Sequence, residues 1–345
     1  MKLVVNILFL LFSFESIAQD CTREIAQSVP TILEKGFDKK TYEVKDAYGK
    51  KLGDNCYPIF ANAIQQSKGL HGNFSITTAN EYFPGLSGYN VYAYMFYVYC
   101  TKEHKLEWKG LSGLNFKAFS NVIRDDIGNE LRDDQLGTGS DHFVYLDNNI
   151  IYTLQPHKPG AEINGYPFIE AVNSNVNNAV LITKKGTPFF TAVTRRQYLA
   201  LMRKNAALSL AVQKKMLAES IQQKLGMENA ITSVIDYSLN DIKQIDAFIA
   251  GHNAEYLNKP CITIHKLESL NGKSFAADAP YFFDVTGQGN EWVIVNPSYI
   301  NKKLPASVPQ FFSITWSQGE KEVEKKAALL FKQTFDFKKM EAILQ

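Results

Sequence analysis

The sequence predicts an α+β protein: mainly antiparallel sheet built from hairpins, with a long amphipathic helix and several shorter helices. Three observations point there. Aromatics are abundant, with 23 Phe and 17 Tyr in 345 residues, which favours sheet and excludes a disordered chain. Short apolar runs flank turn residues, as hairpins do. Helical patterns come in groups rather than alternating with strands, which excludes a βα barrel or a doubly wound fold. No repeat of fixed period occurs.

Residues 1–18 read as a signal peptide. Lys2 supplies the positive region, Leu3 to Phe14 the apolar core, and Ser16 and Ala18 the small residues before a cut. Asp20, where a lipoprotein needs a small residue, argues against a lipid anchor at Cys21. No later segment approaches the roughly 18 unbroken apolar residues of a transmembrane helix. The expected location is periplasmic or extracellular. The rest divides into an N-terminal α+β domain, 19–158, and a C-terminal one, 159–345. The proline- and glycine-rich stretch Gln155–Pro167 is the candidate linker, and a single domain is the alternative.

Asp20–Lys35 has helical spacing with a break at Pro30, and polar Lys39–Asp54 reads as loop. Cys56–Gln66 reads as a short helix, with Pro58 in its first turn. Tyr89–Cys100 is a long strand, apolar or aromatic on both faces, and so expected to be covered on both. Lys105–Trp108 and Leu114–Ser120 are further strands, and Arg124–Gly139 a surface loop whose acids miss calcium-loop spacing. Phe143–Leu154 is a hairpin turning at Asp147, Asn148 and Asn149.

Ala179–Thr183 and Pro188–Val193 predict a second hairpin around Lys185 and Gly186. Thr194 and Gln197 then form a capping box, with Val193 and Tyr198 as a hydrophobic staple. The helix they open runs from Arg195 towards Leu225, its stripe Tyr198, Leu201, Leu208, Val212 and Met216. A shift to Leu217, Ile221 and Leu225 predicts a bend or a change of partner. Ser238–Tyr256 is another amphipathic helix, capped by Ser238. Cys261–His265, Tyr281–Val285, Glu291–Val295 and Phe311–Trp316 are strands; Lys321–Phe335 and Phe337–Leu344 are helices.

Chemistry is scarce. No GxSxG, SxxK, HExxH, GxGxxG or P-loop occurs. The histidines (71, 104, 142, 157, 252 and 265) are scattered without metal-ligand spacing, so neither a metal nor another cofactor is expected. Cys21, Cys56, Cys100 and Cys261 are an even number in an exported chain and predict two bridges, with three connectivities open. Cys56 opens GDNCYPIFANAI, and a thiol at a helix N-terminus can be a nucleophile. That segment resembles the nucleophile helix of transglutaminase-like and papain-like cysteine enzymes. The resemblance implies a histidine on a downstream strand, and YNVYAYMFYVYC has none. A disulfide from Cys56 to Cys100 or Cys21 is the preferred expectation.

From Lys184 to Leu225 the charges are basic except for Glu219. Arg195, Arg196, Arg203, Lys204 and Lys214 project from one helix face, the first two near an N-terminus suited to anions. Arg195, Arg196 and Arg203 are therefore candidate ligands for an anionic glycan, a lipid head group or an acidic envelope protein. Near-neutral net charge, +2, and export argue against nucleic acid. The ending SIAQD of the signal segment and VNPSYINKKLPASVPQFFSITW, Val295 to Trp316, resemble uncharacterised secreted proteins of Bacteroidetes. That resemblance implies a periplasmic or surface location and no known activity. The leading expectation is a non-enzymatic binding or envelope-assembly protein; a Cys56-dependent hydrolase or acyl transferase is the alternative.

Overall fold

The computed structural model describes residues 21–35, 47–79, 85–130, 132–133, 142–143, 145–154, 161–170, 177–263 and 282–345. The expected signal peptide lies outside them. In chain order the elements begin with α1 (Arg23–Ser28), β1 (Ile32–Lys35), α2 (Ala47–Ile64), β2 (Leu70–Thr78), β3 (Tyr89–Cys100) and β4 (Leu106–Ser120). Short strands follow: β5 (Gly128–Glu130), β6 (Arg132–Asp133), β7 (His142–Phe143) and β8 (Tyr145–Leu146). Next are β9 (Asn149–Leu154), β10 (Glu162–Ile163), β11 (Tyr166–Ile169), β12 (Asn178–Ile182) and β13 (Phe190–Ala192). Three helices come next: α3 (Arg195–Gln223), α4 (Glu228–Gly251) and α5 (Ala254–Leu257). The chain ends with β14 (Ile262–Thr263), β15 (Asn290–Val295), β16 (Phe312–Trp316), α6 (Glu322–Thr334) and α7 (Phe337–Glu341).

Alternation along the strands sorts the side chains into layers. The larger sheet has the order β1-β2-β3-β4-β16-β12-β11-β10. It is antiparallel apart from the parallel β1–β2 pair. Val180 and Ile182 of β12, with Phe312, Ile314 and Trp316 of β16, face a core shared with α2, α6 and α7. The intervening Ala179 and Leu181 face the second sheet, β13-β15-β9-β5 with β14 and β8 at its margins. There Tyr152 and Val293 point back to the larger sheet, while Ile151 and Trp292 point out to α3 and α5. The result is helix, sheet, sheet and helix in four layers, an α+β arrangement as the patterning predicts.

The helix-side core is aromatic. Phe60 of α2 meets Phe335 edge-on at 5.3 Å, and Phe331 stacks on Phe116 at 4.3 Å. All four side chains are buried, and each such burial stabilises by roughly 1.5–3 kcal/mol.

Structure follows the local signals where the chemistry is local. Thr194 Oγ1 accepts from Gln197 N–H at 3.2 Å, and Gln197 Oε1 accepts from Thr194 N–H at 2.8 Å. Asp147 and Asn148 take left-handed φ of 49° and 64° between β8 and β9, the turn that two-residue hairpins favour.

Other expectations are corrected. The stretch read as loop to Asp54 is helical from Ala47, so Cys56 lies inside α2 and Pro58 interrupts the helix interior. Leu52, Cys56, Phe60 and Ile64 recur on one buried face, and packing overrides the low propensity of Gly49, Gly53 and Pro58. The helix near Asp20–Lys35 stops at Ser28, and Ile32 and Leu33 belong to β1. The two strands expected at 105–120 are one, β4, with register shifts against β3 around Tyr94–Tyr97. The predicted 179–193 hairpin is split: β12 pairs with β16 and β11, but β13 pairs with β15 in the other sheet. Ser238 lies within α4, which begins at Glu228. On β3, Tyr89, Val91, Ala93 and Met95 are buried, whereas Asn90, Tyr92, Tyr94 and Phe96 are half-buried, so that strand is fully covered on one face only. Both sheets draw strands from either side of residue 158, because β4 pairs with β16 and β9 with β15. Within the candidate linker, residues 162–167 belong to the β10–β11 hairpin, and 155–160 lie outside the described residues.

Candidate functional site

Cys21 and Cys100 form a disulfide, tying the segment before α1 to the end of β3. Cys56 and Cys261 are free and buried, which corrects both the expected second bridge and the expected Cys56 pairing. Cys56 sits in the helix-side core, fully covered, and burial pushes its thiol far above the ordinary range. Burial also raises Cys261, although Arg195 acts in the opposite sense. A nucleophile needs a thiolate within reach of a base. His71 is stacked on Trp108 at 4.5 Å, and His252 Nδ1 lies 2.8 Å from the Phe248 carbonyl. Neither His71 nor His252 is hydrogen-bonded to either thiol. His157 and His265 lie outside the described residues.

The three arginines expected to share a basic face are separated. Arg195 is 1% exposed. Its Nη2 donates to the Phe283 carbonyl at 3.0 Å and to Asp284 Oδ1 at 2.5 Å. The guanidinium lies over the Tyr256 ring, 4.4 Å from its centroid. Hydrogen bonds from Arg195 and then Lys259 hold the Asp284 carboxyl below its usual pKa. Arg203 is held by Asp246 through bonds of 2.7 and 3.1 Å. Arg196 is exposed. Arg195 therefore anchors the helix base and is not a surface ligand: at the first helical position it turns towards the α5 and Phe282 side, which a wheel drawn on the α3 stripe does not capture.

A different group of cations does converge. A cleft of about 970 Å³ opens between α1, the end of β3 and the start of α6. Its wall includes Arg23, Lys68, Tyr97, Tyr99, Lys321 and Lys326, with Glu320 and Glu322 as its carboxylates. Lys321 Nζ stands 3.8 Å above the centre of the Tyr97 ring, a cation–π contact that positions the ammonium. Glu324, from the same helix start, turns inward and accepts hydrogen bonds from Tyr97 Oη and from the backbone of Gly113, Glu320 and Lys321. With that carboxylate occupied, the cleft keeps an excess of positive charge. Among the described residues Arg23, Lys68 and Lys326 form no ion pair, and no group of three metal-ligating side chains occurs. Sequence reasoning missed this cleft because no two of its cationic segments are neighbours in the chain.

The other face of β2–β4 carries a half-buried aromatic row. Tyr92 stacks on Tyr94 at 5.3 Å, and Phe96 leans on Trp108 at 5.4 Å. Among the described residues no helix is long and apolar enough to cross a membrane. No family model, no curated protein and no solved structure matches the chain.

Proposed function

We propose that this chain is an exported, non-enzymatic binding protein whose α1–β3–α6 cleft holds an acidic oligosaccharide. The observation that carries the reading is the convergence of Arg23, Lys68, Lys321 and Lys326 on one concavity, opposed by two carboxylates. Cations lining a concave site focus their field and concentrate an anionic ligand. Carboxylate or sulfate groups would take charge-assisted hydrogen bonds from them, while Tyr97 and Tyr99 offer ring surface to the sugar. The volume stands at the upper end of small-molecule sites, about 300–1,000 Å³. The Cys21–Cys100 bridge supports an oxidising compartment, and the sealed thiols favour binding over cysteine chemistry.

The test is fluorescence polarisation with a labelled uronic-acid oligosaccharide on the disulfide-intact protein. Saturable binding that weakens with salt, and falls about tenfold or more in Lys68→Glu/Lys326→Glu, supports the reading. Absence of saturable binding, or equal binding by that variant, overturns it. Binding to anionic vesicles without binding to the oligosaccharide overturns the saccharide assignment and points to a lipid head group.

A further inference from the structure

One row of the strand register crosses the larger sheet on the face that meets the second sheet: Ala179 of β12, Thr315 of β16, Lys117 of β4 and Tyr92 of β3. Ala179 and Thr315 are buried, whereas Lys117 and Tyr92 are half-buried. A lysine thus stands where the cover over this row thins. Its Nζ lies 5.9 Å from the centre of the Tyr92 ring. Tyr92 in turn meets Phe119, two residues along β4 from Lys117, edge-on at 6.1 Å.

A second cation arrives from the loop after β4. Arg124 is half-buried, and its guanidinium lies 4.8 Å from the centre of the Phe119 ring. The Arg124 carbonyl accepts from the N–H groups of Ile127 and Gly128 at 2.7 and 2.9 Å, so the loop is closed on itself at this point. Among the described residues neither the Lys117 nor the Arg124 side chain forms a hydrogen bond or an ion pair, and Arg124 Nε is buried without an acceptor. Burial first, and then Arg124, lower the pKa of the Lys117 ammonium, while Asp126 acts in the opposite sense. Asp126 Oδ1 accepts from Asn177 N and Nδ2 at 3.4 and 3.2 Å, and Asp125 is exposed. On the other side of Lys117 along the sheet stands Tyr94, half-buried and stacked on Tyr92, its hydroxyl without a hydrogen bond among the described residues.

Two partly desolvated cations near each other are costly unless an anion joins them. The protein does not supply that anion, because Asp126, the carboxylate that acts on Lys117, is turned to Asn177. What remains is two positive charges and three side chains with donors to give, gathered on one face. A phosphate monoester carries a charge of about −1.5 to −2 at pH 7 and three strong acceptor oxygens. It matches both the charge and the spread of donors, whereas a carboxylate brings a single charge and two oxygens in one plane. We propose that this corner of the sheet is a phosphate site, Lys117 and Arg124 holding the phosphate group of a monoester with the Tyr94 hydroxyl beside them. The inference does not depend on what the α1–β3–α6 cleft binds.

Titration of inorganic phosphate into the full, disulfide-intact chain tests it, read by phosphorus NMR line width and by thermal melts against chloride of equal ionic strength, with circular dichroism as the folding control. Saturable binding is expected, with a dissociation constant that rises about tenfold or more in Lys117→Met and in Arg124→Met, both of which keep a stem over the ring. Without phosphate, Lys117→Met should melt no lower than the wild type, since it removes a half-buried charge facing another. A lower melt would make the lysine a structural prop over Tyr92 and overturn the proposal. Absence of saturable binding also overturns it, as does binding that Lys117→Met leaves unchanged; loss in Lys68→Glu/Lys326→Glu instead would place the ion in the cleft. Displacement of phosphate by glycerol 3-phosphate, without flotation on phosphatidic acid vesicles, supports a soluble ester as the source. Flotation that Lys117→Met abolishes supports the same site with a lipid headgroup as the source.

Discussion

Tyr97 and Glu324 lie far apart in the chain and meet by a direct hydrogen bond from the phenol to the carboxylate. The carboxylate is 1% exposed and also takes the N–H groups of Gly113 at 2.9 Å, Glu320 at 2.7 Å and Lys321 at 2.9 Å. One side chain thus caps α6, pins β4 and aims the wall of the cleft. Its position is an N3 acid of a helix start, a local signal; its phenol partner is a tertiary fact.

That relationship predicts a pH dependence. Burial alone would raise the Glu324 carboxyl, but the bonds from Tyr97 and the three backbone donors outweigh it and hold the pKa below the ordinary carboxylate value. A depressed folded pKa stabilises the fold above the unfolded pKa, and that stability is lost as pH falls through the folded one. Burial first, and then Glu324, raise the Tyr97 phenol, so its share is present below the usual tyrosine pKa and lost on the alkaline side. Glu324→Gln should cost about 1–3 kcal/mol at neutral pH and flatten the acid limb, and Tyr97→Phe about 1 kcal/mol. Urea unfolding at several pH values measures both, and an unchanged acid limb in Glu324→Gln refutes the assignment.

The cysteines separate into one bridge and two protected thiols. Without reductant, the native protein should react with a thiol reagent slowly at neutral pH, since burial raises both thiols and shields them. After unfolding, Cys56 and Cys261 should both label. Cys21→Ser/Cys100→Ser should lose roughly 2–4 kcal/mol and loosen the wall of the cleft. Fast native labelling of Cys56 would return the nucleophile reading to consideration.

The arginines should diverge on substitution. Arg195→Ala removes a buried side chain stacked on Tyr256 and bonded to Phe283 and Asp284, at a cost of about 2–4 kcal/mol. Arg196→Ala, at an exposed position, should stay within about 0.5 kcal/mol. Arg203→Ala loses an exposed pair with Asp246, at about 1 kcal/mol or less. Thermal melts of the three variants give the order, and equal effects would contradict the burial of Arg195.

What could be read from the chain depended on the range of the interaction. The Thr194–Gln197 box and the Asp147–Asn148 turn involve residues within three of one another, so their chemistry is complete in the local sequence. Helix α2 was legible only from Cys56 onward, because its first turns carry Gly49 and Gly53 and owe their form to packing against the sheet.

The sequence by itself determined the class: hairpin-rich sheet, grouped helices, the long helix after Thr194, and the scarcity of catalytic motifs. Tertiary structure decided which cysteines pair, that Arg195 is an anchor, and that Arg23, Lys68, Lys321 and Lys326 share one cleft. Period and capping are properties of neighbouring residues. Convergence of charge and burial of a thiol depend on which distant strands pair, and β4 finds β16 across nearly two hundred residues.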